Sequence, residues 1–200
     1  AAMPADALPE IRCDVAVIGS GFGGSVSALR LAEKGWDVAV LEQGRRLDDA
    51  DLLAARSDLR AYLWEPEAGL RGFFWQRMFR DMGIIGANGV GGGSIVWGAV
   101  LLEPPASFFT DPGWPAAGVD WHAELAGHYA TAARMLGRTP VPDRALGVQD
   151  DHLAAAAAAL GASSTFGVVP SGIYFGDGPG VRAADPFFDG AGPERQGCRL

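Results

Sequence analysis

Residues 14–44 read DVAVIGSGFGGSVSALRLAEKGWDVAVLEQG, and the rest of the chain is best read outward from them. Val15-Ala16-Val17-Ile18 is a short apolar run rich in β-branched residues, the pattern of one buried strand. Gly19, Gly21 and Gly24 follow at the spacing G-x-G-x-x-G. Val26, Leu29 and Leu31, set among small residues, then predict a helix that ends near Gly35. Val38-Ala39-Val40-Leu41 is a second buried-strand candidate, with Glu42 at its C-terminal end. Strand, turn, helix, strand and acid within about 30 residues is the context that turns a bare glycine pattern into a dinucleotide-binding fingerprint.

Each part has a physical job in that reading. Gly19 allows the tight turn, and Gly21 lets backbone approach a pyrophosphate with no Cβ in the way. Gly24, beside Gly23, lets the helix pack closely on the strand. The helix start offers unpaired N–H groups and partial positive charge to phosphates. Glu42 stands near the spacing at which a carboxylate meets a ribose. A tight strand-to-helix turn with no ligand would use the same glycines, so the fingerprint rests on its context.

At 200 residues the chain is long enough for one domain and part of another. A formal net charge of −8 argues against nucleic acid and anionic membrane surfaces as partners. Cys13 and Cys198 are the only cysteines, too few for a disulfide framework or a four-cysteine metal site. No apolar run is long enough to span a bilayer. The start, AAMPADALPEIR, has neither a basic nor an apolar signal region and reads as a loose leader. A cytoplasmic location is the default expectation, and a mature secreted form would read the same.

Beyond Glu42, Asp51–Leu63 carries leucines at mixed helical spacing, consistent with a short helix interrupted by Glu65-Pro66-Glu67. Phe73-Phe74-Trp75 with Met78, Phe79 and Met82 forms an aromatic and methionine cluster, either core or interface, or else part of an apolar substrate channel or lid. Residues 83–100, GIIGANGVGGGSIVWGAV, are dense in glycine between apolar residues and contain no carboxylate. Such a run costs backbone entropy and suits close backbone approach to a ligand better than a solvated linker. Residues 101–115 read as a loop with buried aromatics, Phe108-Phe109 then Asp111-Pro112-Gly113-Trp114-Pro115.

Asp120 begins a helix with Leu125, Tyr129, Ala132, Ala133 and Leu136 on one face and Gly137 as its stop. A further helix is predicted over about Asp150–Leu160, through the alanine run 154–159, with His152 in its first turn. His122, His128 and His152 have no partners at metal-ligand spacing and read as surface or capping residues, and no metal site is predicted. Val168-Val169-Pro170 and Ile173-Tyr174-Phe175 suggest short strands, and the Gly- and Pro-rich end resists assignment. Because it reaches Gly197-Cys198-Arg199-Leu200 without a closing element, the chain reads as a piece of a longer polypeptide.

With both glycine-rich stretches in view, the chain resembles the glucose–methanol–choline family of flavoprotein oxidoreductases, in its bacterial sterol-oxidising branch. VIGSGFGGSVSALRLAEKG with VLEQG is similar to that branch's FAD-binding segment, and ANGVGGGSIVWGAVLLEPP to its second flavin-contacting loop. WHAELAGHYATAARMLG and DPFFDGAGPERQGC are similar too, so the likeness covers nearly the whole chain. The resemblance implies an α/β, Rossmann-like FAD-binding domain, a parallel sheet with flanking helices, over residues 1–110. It also implies that residues 111–200 begin a substrate-binding domain.

FAD is the implied cofactor. Gly19, Ser20, Gly21, Phe22, Gly23, Gly24 and Glu42 would hold its ADP half, and Gly92, Gly93, Ser94, Trp97, Gly98 and Val100 would line the isoalloxazine. Trp97 stands where the family commonly has Asn, so no side-chain amide reaches the flavin from there.

The implied reaction is oxidation of an alcohol C–OH to a carbonyl, with a histidine base taking the hydroxyl proton and hydride passing to the flavin. The substrate would be a small-molecule alcohol, a sterol or another bulky apolar one, and the electron acceptor O₂ or another oxidant. The catalytic histidine and its partner lie in the family's C-terminal half, so no catalytic residue is assigned within this chain. Other readings remain: an amine oxidase or ketosteroid dehydrogenase-like flavoenzyme, a nicotinamide-binding module, or a non-catalytic dinucleotide-binding protein. Oligomeric state is not legible.

Overall fold

The computed structural model describes residues 10–113 and 118–199. The expectations for residues 1–9 of the leader, for Trp114 and Pro115, and for Leu200 lie outside the described residues. The chain divides into two compact units, Ala1–Gly98 and Ala99–Leu200.

The first unit opens with strand β1 (Val15–Ile18), helix α1 (Phe22–Glu33) and strand β2 (Val38–Leu41). The two strands stand where the apolar runs predict and pair in parallel, Val15 opposite Val38 through Ile18 opposite Leu41, but neither is buried as expected. Asp14 fastens the far end: its N–H donates to the Asp37 carbonyl (2.9 Å), and its carboxylate accepts from the Asp37 N–H (2.9 Å). Helix α1 closes at Lys34, and Gly35, at φ +89°, turns the chain toward β2 in a conformation that disfavours a Cβ.

The single helix expected over Asp51–Leu63 is two short ones, α2 (Asp49–Ala54) and α3 (Leu59–Tyr62). Two carboxylates explain the break. Asp48 caps α2 in a reciprocal capping box with Asp51, and Asp58 accepts from the Arg60 N–H to start α3 afresh. Glu65-Pro66-Glu67 then lies in a small hairpin of β3 (Trp64–Glu65) and β4 (Leu70–Arg71), turned by Gly69 at φ +76°.

A second hairpin follows, β5 (Phe74–Met78) against β6 (Gly83–Ala87). The glycine-rich stretch is therefore a strand in its first part and a loop only beyond Ala87. Gly86 pairs with Trp75, whose indole covers the space a Cβ would need, so glycine here serves aromatic packing. The aromatic and methionine cluster splits: Phe73 is buried (6% exposed), while Met78 is 76% exposed and Phe79 and Met82 are also exposed.

The second unit holds a 3₁₀ turn over Ala106–Thr110, α4 (Trp121–Leu136), β7 (Thr139–Pro140), α5 (Val148–Ala159), β8 (Pro170–Ser171), β9 (Arg182–Ala183) and β10 (Arg195–Gln196). The Asp120 carboxylate accepts from the Ala123 N–H (3.1 Å), and Gly137 ends α4 at φ +68°, as its sequence predicts. The shielded face of α4 differs from the expected one: Trp121, Leu125, Tyr129 and Ala133 are half-buried, whereas Ala132 and Leu136 are exposed. Phe109 packs between His122 (5.4 Å) and Tyr129 (6.3 Å). Its neighbour Phe108 stays exposed, so only one of the two expected buried aromatics is shielded.

Helix α5 begins two residues before its predicted start, which places the exposed His152 beyond the first turn. Of the two expected late strands only Pro170–Ser171 forms, between Thr139–Pro140 and Val100. Ile173–Phe175 is not a strand, because its carbonyls are claimed singly. The Thr139 hydroxyl donates to Ile173, the Cys198 N–H to Tyr174, and Arg144 to Phe175.

The secondary structure is mixed α/β, and every sheet among the described residues has two strands. The parallel pair is the Rossmann-like element, but no broad parallel sheet occurs among the described residues. Its apolar surface is correspondingly open, with Ile18 78% exposed and Val40 and Leu41 also exposed. Phe73 and Phe175, one in each unit, are the buried hydrophobic residues among those described.

Candidate functional site

The first unit brings its two glycine-rich stretches together. Gly19 adopts φ +89° at the end of β1, and its N–H donates to the Leu41 carbonyl (2.7 Å), which holds the turn beside the end of β2. The turn leads into α1 with Gly21 as N-cap. No side chain caps the helix and no acid lies in its first turn. Its first intrahelical bond runs from the Ser25 N–H to the Gly21 carbonyl (2.9 Å), so the preceding amides have no partner within the helix. A Cβ on Gly24 would overlap the Gly19 carbonyl oxygen and crowd Val17, so only glycine permits this approach of helix to turn.

The second stretch closes over the first at Gly92, which adopts φ +54°. A Cβ there would meet the Gly21 Cα at 3.0 Å. A Cβ on Gly44 would likewise strike the Asn88–Gly89 backbone. The Val90 N–H donates to the Arg45 carbonyl (3.1 Å), and the Gln43 amide donates to the Asn88 side chain (2.7 Å). Both glycine runs therefore work by letting backbone meet backbone.

Glu42 and Ser20 form the centre of this arrangement. The Ser20 N–H and hydroxyl both donate to one Glu42 carboxylate oxygen, at 2.9 and 2.8 Å, and the Gly44 N–H donates to the other at 3.0 Å. The Gly44 N–H first, then the Ser20 backbone and hydroxyl, hold the Glu42 carboxyl below its ordinary range against the opposing effect of partial desolvation. An ionised carboxylate accepts about four hydrogen bonds. Two are made here to one oxygen and one to the other, and the Gln43 N–H adds to the stabilisation of the half-buried Glu42 charge.

Among the candidates read from sequence, Gly19, Ser20, Gly21, Phe22, Gly23, Gly24 and Glu42 lie on one turn and the adjoining strand end. Gly92, Gly93 and Ser94 form a 3₁₀ turn whose Ser94 hydroxyl donates back to the Gly91 carbonyl (2.9 Å). Trp97 packs edge-on against Phe22, ring centroids 5.3 Å apart, which joins the two stretches a second time. Gly98, at φ +70°, ends the first unit. Val100 belongs to the second, where it bridges Ser171 and is exposed.

Gly44, Gly89 and the Gln43–Asn88 pair are structural members of the site that sequence reading passed over. Glycine in GVGGGS draws attention by density, while Gly44 carries no local signal beyond following an acid.

The arrangement fits an FAD. Open amides at an uncapped helix start suit a pyrophosphate, a half-buried carboxylate just past the strand end suits a ribose, and a glycine surface suits a flat ring. No group of three metal-ligating side chains occurs among the described residues. No helix among them is long and apolar enough to cross a membrane.

Comparison with known proteins agrees with this fit. Residues 14–55 match the FAD dependent oxidoreductase family. Over 189 residues, 92% of this chain, the sequence is 44% identical to a cholesterol oxidase of Mycobacterium tuberculosis and covers 32% of it. A cholesterol oxidase of Acinetobacter baumannii is 42% identical over 188 residues, 92% of this chain and 33% of the relative. A long-chain-alcohol oxidase of Arabidopsis thaliana is 37% identical over 98 residues, 48% of this chain and 12% of the relative. The chain thus spans about a third of the length of the cholesterol oxidases it matches. These likenesses bear out the resemblance to glucose–methanol–choline-type flavoprotein oxidoreductases and indicate FAD as the cofactor.

Proposed function

We propose that the intact protein oxidises an alcohol C–OH to a carbonyl, acting on a sterol or another bulky apolar alcohol, and passes electrons to O₂ or another acceptor. The observation that carries this reading is the joining of the two glycine-rich stretches around an uncapped helix start and Glu42. The similarity to two cholesterol oxidases over 92% of the chain supports the substrate class.

In this reading the first amides of α1 hold the pyrophosphate and Glu42 accepts a hydrogen bond from the ribose. The second stretch lines the ring through Gly92, Gly93, Ser94, Trp97 and Gly98, without Val100, which belongs to the second unit. Trp97 contributes an apolar edge there and no side-chain amide. When bound, FAD supplies the hydride acceptor. These residues bind and orient it, and exclude water from one side.

The proton acceptor is assigned outside this chain, as the resemblance implies; His122 packs on Phe109, and His128 and His152 are solvent-exposed. Residues 1–110 are read as the flavin-binding part, completed in the intact protein by a wider parallel sheet with flanking helices, and residues 111–200 as the start of a substrate domain. A cytoplasmic location is part of the same proposal.

The visible spectrum of the purified full-length protein, recorded before and after a 3β-hydroxysterol is added without O₂, tests it. Flavin bands that bleach with the sterol are the expected result. Bands that persist would reject the sterol class and turn the search to other alcohols. A protein that shows no bands even after FAD is supplied would overturn the proposal.

A further inference from the structure

We propose that Ser20 is a positioning residue, a clasp whose hydroxyl fastens the second glycine-rich stretch to the ribose-binding carboxylate so that both halves of the flavin site form together. The inference rests on the flavin reading above and concerns what Ser20 does within it. By its place in G-x-G-x-x-G, Ser20 would be a direct contact to the dinucleotide. Its side chain is instead turned inward, and the residue is only 6% exposed.

The hydroxyl has one hydrogen and two lone pairs, and both kinds of bond are made across the site. Its hydrogen goes to Glu42 Oε2 (2.8 Å), and its oxygen accepts from the Gly91 N–H (3.0 Å), a residue 71 positions away. The Ser20 backbone is engaged as well: its N–H donates to the same carboxylate oxygen (2.9 Å), and its carbonyl accepts from the Ser25 hydroxyl (2.6 Å).

Gly91 is the residue that needs such an anchor. It adopts φ +109° and starts the tight turn Gly92–Ile95, and the run of glycines around it has more conformational freedom to lose than any other sequence. Its N–H bond to Ser20 and the backbone contact of Gly92 with Gly21 set where that run begins over the first turn. A hydroxyl that donates to an ionised carboxylate is also a better acceptor for the Gly91 N–H, since chained hydrogen bonds polarise one another. The Glu42 charge thereby reaches the second stretch through one side chain.

The test uses the full-length protein and two readouts, hydrogen exchange of the Gly91 amide without flavin and the dissociation constant for FAD. Ser20→Ala is expected to speed Gly91 exchange about 5- to 10-fold and to weaken FAD binding about tenfold, the scale of one buried hydrogen bond to a charged network. Ser20→Thr, which keeps the hydroxyl, should restore both. Glu42→Gln keeps an acceptor for Ser20 but removes the charge, so it should speed Gly91 exchange less than Ser20→Ala does while weakening FAD binding at least as much; that split separates a clasp from general loosening.

Unchanged Gly91 exchange in Ser20→Ala would overturn the proposal, and so would faster exchange with unchanged FAD affinity. If the unaltered protein binds no FAD, the flavin reading itself falls. A silent Ser20→Ala in a protein that does bind FAD removes only the clasp.

Discussion

Each unit of this chain is organised around a shielded carboxylate, and the two carboxylates are used in opposite ways. In the first unit Glu42 is held by the Ser20 and Gly44 groups, is only half-buried, and lies beside an uncapped helix start. In the second, Asp185 is only 1% exposed and is closed off. Arg195 donates to its Oδ2 (3.0 Å), the Phe187 N–H donates to its Oδ1 (2.9 Å), and the guanidinium lies over the Phe187 ring at 4.9 Å. A Cβ on Gly192 would overlap the carboxylate. A neutral clasp holds its acid without enclosing it, whereas a paired cation and an aromatic cover spend the acid on structure. The comparison separates a site from a staple without reference to what either resembles.

Gly24→Ala should have the largest effect, because its methyl would collide with the Gly19 carbonyl, which is backbone and pinned by Leu41. The expected cost is about 3 kcal/mol or more, with loss of flavin binding, measured by thermal melting and flavin content. Retained flavin in Gly24→Ala would break the assignment of the open site to this turn.

Gly192→Ala, crowding Asp185 in the same way, is expected to cost about 1–3 kcal/mol while leaving the FAD dissociation constant unchanged. A large loss of FAD affinity there would show that the second carboxylate is not merely a staple.

Acid should weaken both units. The folded state holds Glu42 below its ordinary 4.5, chiefly through the Gly44 N–H. It holds Asp185 below 3.8, chiefly through Arg195. A depressed carboxylate contributes stability in full above its unfolded value, and that contribution is lost as pH falls through the folded value. Stability measured from pH 6 downward should therefore begin to fall near 4.5, and Glu42→Gln and Asp185→Asn should each flatten part of that fall. A pH-independent melting temperature across this window would contradict the hydrogen-bond pattern of both centres.

Asp120→Ala, which removes only the cap of α4, should cost about 1 kcal/mol and leave flavin binding alone. It calibrates what an ordinary local contact is worth beside the two carboxylate centres.

Much of the first unit was legible because its signals are local. Four apolar residues on either side of a glycine turn specify β1 and β2 to the residue, and the Asp120 and Gly137 ends of α4 follow from capping chemistry alone. Short elements were less legible. The break between α2 and α3 depends on Asp58 choosing a backbone N–H over solvent, and β6 depends on a glycine whose value comes from Trp75 across the hairpin. Around Asp185 the sequence DPFFDGAGPERQGC shows no periodicity, since its order comes from two ion pairs, a two-residue strand and single hydrogen bonds.

Taken by itself, the sequence determined that the chain carries a strand–turn–helix–strand unit with an acid at its end and a second glycine-rich stretch suited to close approach. Periodicity, capping and glycine content act over a few residues, so they can be read in order along the chain. Only the tertiary structure decided that Ser20 turns inward to join Glu42 to Gly91, that Gly44 is held against Gly89, and that Asp185 is sealed by Arg195. Those contacts join residues far apart in sequence, and a hydroxyl or a missing Cβ gains its role only from what stands opposite it in space.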